Sequence, residues 1–172
     1  MERRDEKKRL TRFVKELLLY GLVAITIALL VDWYRTKDIP KQVAPALYGQ
    51  TLSGDQIDVI ELSHQQPVVV YFFWATWCPA CKFVSPSVDW LSQYYPVVTV
   101  AGASGPNERV TAFMQHSDYQ FDTINDPKSA LFQQWSIQVT PTIAIIRDGQ
   151  VASITTGITT PPGLLARVWL NQ

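Results

Sequence analysis

Cysteine occurs only twice in the 172 residues, histidine twice and methionine twice, and charged side chains make up 17% of the chain. Two cysteines exclude a disulfide-stapled scaffold. His64 and His116 lack the close spacing of a zinc-binding histidine pair, so they do not complete a metal site with the cysteines. No G-x-G-x-x-G stretch offers a nicotinamide or flavin fingerprint, and neither a cofactor nor a metal is expected. Internal repeats and low-complexity tracts are also missing. A hydrophobic share of 47% with 12% aromatics excludes collagen-like and disordered classes.

The formal net charge of zero conceals an asymmetry. Residues 1–42 carry ten basic and six acidic side chains, and residues 43–172 carry five and nine, so plus four is cancelled by minus four. The two parts are suited to different surroundings, and an acidic body argues against nucleic acid as the partner.

Arg3, Arg4, Lys7, Lys8, Arg9, Arg12 and Lys15 crowd residues 1–16, and residues 17–31 then run without a formal charge. That run spans about 22 Å as a helix, short of the roughly 30 Å hydrocarbon core, unless Phe13, Val14, Trp33 and Tyr34 extend it. The reading is a cytoplasmic basic arm over 1–16, a transmembrane anchor over 17–34, a tether over 35–46 containing Pro40 and Pro45, and a globular domain over 47–172. A cleaved signal peptide and a buried core helix are the alternatives. Asp32-Trp33-Tyr34 reads as an interfacial anchor rather than a cleavage site.

Both cysteines sit in one C-x-x-C, Cys78 and Cys81. A bridge closing so short a loop removes little entropy from the unfolded chain, so chemistry explains it better than stability. Val68-Val69-Val70-Tyr71-Phe72-Phe73-Trp74 precedes it with the pattern of a strand buried on both faces. Phe83, Val84, Val88, Leu91 and Tyr95 follow at spacings of one apolar helical side, ending at Pro96. Cys78 thus falls at a strand-to-helix junction, where unpaired N–H groups favour a thiolate. Pro79 suits the first helical turn, which leaves Cys81 one turn in and less accessible. Cys78 is expected to attack and Cys81 to resolve.

Trp74-Ala75-Thr76-Trp77-Cys78-Pro79-Ala80-Cys81-Lys82, with Pro86 five positions after the second cysteine, resembles a thioredoxin-fold active site. The chain is most similar to the membrane-tethered, periplasmic TlpA, ResA and DsbE-like proteins, and among them to the suppressor-of-copper-sensitivity D disulfide oxidoreductases. The resemblance covers roughly residues 46–172. It places the domain in the periplasm, tethered by one pass through the bacterial inner membrane. Val139-Thr140-Pro141-Thr142 is similar to the family's cis-proline loop. The resemblance implies substrate contact by Thr140 and Pro141, with Trp77 at the substrate-facing lip.

The remaining elements fit an α/β domain. Residues 47–50 and 57–62 around Ser53-Gly54-Asp55 predict an amino-terminal β-hairpin. Residues 97–103 predict a second buried strand, Asn107 a helix cap, and residues 130–135 a short helix, with Phe121-Asp122-Thr123-Ile124 between the two helices. This stretch resembles the central insertion of the TlpA-like group. Two strands around Asp148-Gly149 form a hairpin, and Thr160-Pro161 opens a last helix with Leu164, Leu165, Val168 and Leu170 on its apolar side.

The implied reaction is thiol-disulfide exchange with protein thiols and disulfides as substrates. Phe72 stands where thioredoxin has a buried aspartate, and Val84 where ResA-like proteins place a glutamate, so no catalytic carboxylate is assigned. The acidic residue that follows the DsbE-like loop is also missing, which weakens a cytochrome-maturation role. A reductase fed by a membrane-embedded thiol carrier is favoured over an oxidant. The competing class is a copper module holding Cu(I) between the two thiolates.

Overall fold

The computed structural model of the protein describes residues 13–23, 26, 27, 30, 31, 34 and 43–172. The chain divides into two compact units, Met1–Lys37 and Asp38–Gln172. In the first, residues 13–23 form a helix whose side chains are all exposed. Among the described residues no helix is long and apolar enough to cross a membrane, which overturns the transmembrane helix expected over 17–34. Lys15 and Glu16 stand within the helix of residues 13–23, where each charge weighs against burial in hydrocarbon. Most of the basic arm, the tether residues 35–42 and Asp32-Trp33 lie outside the described residues.

The second unit opens with strands β1 (Tyr48–Gln50) and β2 (Gln56–Asp58), an antiparallel hairpin. The second strand was expected to continue to residue 62. It ends instead at Asp58, whose carboxylate accepts the N–H groups of Ile60 and Glu61 at 3.0 and 3.2 Å and starts helix α1 (Val59–Gln65). A carboxylate cap satisfies donors that a strand would have turned to a neighbour, and the helical turn buries Val59.

Strand β3 (Val69–Trp74) leads through helix α2 (Cys81–Ser92) to β4 (Val97–Gly102), parallel to β3. Helix α3 (Asn107–Ser117) then returns the chain to β5 (Asp122–Asp126), parallel to β4. Asn107 is the first residue of α3 rather than its cap, and Pro106 holds the cap position. Helix α4 (Ala130–Gln134) follows, and Asp126 holds its start by accepting the amides of Ala130, Leu131 and Phe132. Strands β6 (Thr142–Arg147) and β7 (Gln150–Thr156) turn about Asp148 and Gly149, both at positive φ, as the two-residue hairpin signal requires. Helix α5 (Pro161–Leu170) starts at the predicted Thr160 cap. The five-stranded sheet has the order β5-β4-β3-β6-β7, with β6 antiparallel to β3.

Helices cover both faces, so successive residues of β3 enter opposite cores. Val70, Phe72 and Trp74 join Val84 and Val88 of α2 and Leu164 and Val168 of α5. Val69, Tyr71 and Phe73 join Val59, Phe132 and Trp135 on the other side. Burial of Tyr71 raises its phenol well above the ordinary value, with Asp58 adding to the effect. The helical periodicity erred at the margins: Phe83, Leu165 and Leu170 were assigned to apolar sides yet are exposed. Phe83 and Leu165 each lie beside a buried residue, Val84 and Leu164, about 100° around the helix from the line of contact, and Leu170 lies in the exposed last turn after Val168.

Candidate active site

The C-terminal ends of β3, β4 and β5 and the start of β6 share one end of the sheet, because Trp74 pairs with Ala101 and Phe73 pairs with Thr142. That end is where an open α/β sheet leaves its loops free for chemistry. Beyond β3, Thr76 and Trp77 turn the chain into Cys78. The amides of Lys82 and Phe83 donate to Pro79 and Ala80 carbonyls at 3.2 Å, forming a tight turn before the helix. Helix α2 therefore begins at Cys81, with Pro79 and Ala80 ahead of it rather than inside its first turn.

Cys78 and Cys81 form a disulfide with their Cα atoms 5.3 Å apart. The backbone N–H of Cys81 donates to Cys78 Sγ at 3.1 Å. Among the described residues no reciprocal donor faces the Cys81 sulfur. Exposure does not distinguish the two as expected: Cys78 is 3% accessible and Cys81 2%. What sets them apart is the helix start, which directs an N–H at one sulfur only.

The floor beneath the disulfide is apolar. Phe72 and Val84 are completely buried in the core cluster that contains both cysteines. Trp74 reaches across this floor and donates its indole N–H to Thr99 at 3.0 Å, and Thr99 pairs with Thr123 at 2.8 Å.

Trp77 is 60% exposed, and its indole N–H donates to the Ala103 carbonyl at 3.1 Å. The Thr76 amide donates to Ser104 Oγ at 3.0 Å, and the same hydroxyl donates to the Gly102 carbonyl at 3.0 Å. The loop after β4 thus holds the segment that carries Cys78. Ala103 adopts a left-handed backbone, φ 45°, which swings its carbonyl to Trp77. The sequence reading placed Ala103 at the end of a strand over 97–103 and gave Ser104 no role, whereas the strand ends at Gly102 and both residues belong to the loop beyond it.

Thr140–Pro141 is a cis peptide. Pro141 is buried, Thr140 half-buried, and the Pro141 carbonyl accepts the Gly157 amide at 2.8 Å. Since Thr142 pairs with Phe73, this loop lies at the same sheet end as the disulfide. All five candidate residues, Trp77, Cys78, Cys81, Thr140 and Pro141, are gathered there. An open groove lies at the opposite sheet end, lined by Asp55, Asp58, Glu61 and Asp122. Burial, then Asp55, raises the Asp122 carboxyl above its ordinary value.

Residues 52–168 match the thioredoxin family model. A thioredoxin-like protein of Haemophilus influenzae is 34% identical over 164 residues, covering 92% of this chain and 97% of its own length. A thiol:disulfide interchange protein DsbE homolog of Paracoccus denitrificans is 27% identical over 146 residues, covering 80% of this chain and 81% of its own. A secreted Mycobacterium tuberculosis disulfide oxidoreductase shares the fold, with a TM-score of 0.61 at 21% identity, covering 72% of this chain and 95% of that structure. With its C-x-x-C disulfide at the head of α2, the chain belongs to the thioredoxin family and is a DsbE-like protein-disulfide oxidoreductase.

Proposed function

We propose that Cys78 is the attacking thiol, Cys81 the resolving thiol, and that the chain works as a reductase of partner-protein disulfides. The supporting observation is the Cys81 N–H aimed at Cys78 Sγ, which stabilises negative charge on that sulfur alone. In the reaction, Cys78 thiolate attacks one sulfur of a partner disulfide; a mixed disulfide forms and the partner's other sulfur leaves as a thiolate that takes a proton. Cys81, once deprotonated, attacks Cys78 Sγ and releases the partner's second thiol. The partner gains two electrons, and the enzyme keeps the Cys78–Cys81 bond. A separate thiol carrier protein then reduces that bond by the same steps in reverse. Trp77 and the Thr140–Pro141 loop contact the partner segment beside its sulfur.

The sparse stabilisation around Cys78 supports the reductase reading. A strongly oxidising site stabilises its thiolate with several charges or donors, whereas here one N–H faces Cys78 and the floor is Phe72 and Val84. The chain is read as acting outside the cytoplasm, as the secreted Mycobacterium tuberculosis relative does, and close to the membrane surface. That placement brings it near a membrane-embedded thiol carrier and raises the effective concentration of each for the other.

Equilibration of the full chain with glutathione buffers tests the direction. A potential near that of thioredoxin, about −270 mV, is expected, and one near about −120 mV would make it an oxidant.

A further inference from the structure

Helix α2 has two apolar sides. Its inner side, Val84, Val88 and Leu91, is fully buried, yet Phe83, Trp90 and Tyr94 on and just beyond the helix expose 71%, 45% and 64% of their surface. Pro86 is exposed between them, and the rings of Trp90 and Tyr94 stand 5.2 Å apart. Positions 83, 86, 90 and 94 recur at helical spacing, so they lie along one outward line of about 16 Å. The only charged residue between Phe83 and Tyr94 is Asp89, whose carboxylate accepts the Gln120 and Phe121 amides. A solvated helix face of this length normally carries several charges.

We propose that this stripe seats an apolar helix of the redox partner, laid along α2 so that the partner's cysteine reaches Cys78. The inference rests on the exchange reading above and goes on to name the partner's chemistry. Cys78 is only 3% accessible, so a partner sulfur arrives only if the chain carrying it lies flat on the surrounding surface. The stripe continues that surface, beginning two residues after Cys81 and running away from the disulfide. Three aromatic side chains, exposed by 45% to 71%, offer about 300 Å². With exposed Trp77 added, the patch suits a transient redox encounter and falls short of the roughly 800 Å² per partner of a stable complex, which disfavours a second copy as the occupant. Spacings of three and four match the ridges by which one helix packs on another.

The probe is a synthetic helix with leucine at the a and d positions and one terminal cysteine as a mixed disulfide with thionitrobenzoate; a second peptide carries glutamine in place of each leucine. The reduced full chain should release thionitrobenzoate from the leucine peptide about tenfold faster than from the glutamine peptide. The double variant Phe83→Ser, Trp90→Ser should lose that preference while its rate with oxidised glutathione is unchanged. A leucine peptide with serine in place of cysteine should, in addition, change the tryptophan fluorescence of the wild-type chain and not that of the variant. Equal rates for the two peptides, or a variant that keeps the preference, would overturn the proposal. A wild-type chain inert toward oxidised glutathione would instead defeat the exchange reading, and the docking surface with it.

Discussion

The amide of Cys81 and the sulfur of Cys78 are 3.1 Å apart, so the helix start presents its N–H to the first cysteine and, among the described residues, the second has no equivalent donor. That single bond orders the two sulfurs, since their exposures are nearly equal. Around it the sheet end supplies scaffolding rather than acid–base groups. The loop after β4 clamps the approach to Cys78, and apolar side chains form the floor.

Ser104 is the hinge pin of that clamp. Ser104→Ala strands the Thr76 amide and removes a donor from the Gly102 carbonyl, and the side chain is 1% exposed. Leaving a buried donor unsatisfied costs about 1–3 kcal/mol. Urea unfolding should register that loss, and exchange with a protein disulfide should slow as the Thr76–Trp77 segment loosens.

Gly102 has no room for a side chain. An added Cβ would collide with the ring of Phe132, which itself packs edge-on against Phe73 with ring centroids 5.4 Å apart. Gly102→Ala is expected to destabilise the domain by about 1–3 kcal/mol, read from the denaturant midpoint.

Asp122 opposes folding at neutral pH. Burial and then Asp55 raise its folded-state pKa, so the stability it permits is fully present below its ordinary value of 3.8 and is lost as the pH rises through the raised value. Asp122→Asn should therefore stabilise the chain at neutral pH by under about 1 kcal/mol, since the side chain is largely solvated. Unfolding curves at neutral pH should separate the two proteins, and curves below 3.8 should bring them together.

The five-stranded core was legible because its signals are local and mutually consistent. A run such as β3 buries both faces, Asp148-Gly149 supplies the backbone that a tight hairpin needs, and Thr160-Pro161 caps and starts a helix without help from the rest of the fold. The stretch after Ile57 was not legible, since its apolar residues suit a strand or a helix and the Asp58 carboxylate decides between them. Phe83 was placed inside because helical periodicity locates a side and not its edge. The two cysteines and the Thr140–Pro141 loop carried the site in plain view. Ser104 and Ala103 did not, because their roles come from a loop that the sheet brings beside Thr76 and Trp77 from about 27 residues away in sequence.

The central claim is that Cys78 is the attacking sulfur. The direct test is to mix reduced Cys81→Ala and Cys78→Ala full-length chains with oxidised glutathione and follow the intact mass. The account predicts that Cys81→Ala accumulates a stable glutathione adduct on Cys78 while Cys78→Ala reacts far more slowly. Faster adduct formation at Cys81, or equal rates at the two positions, would contradict it.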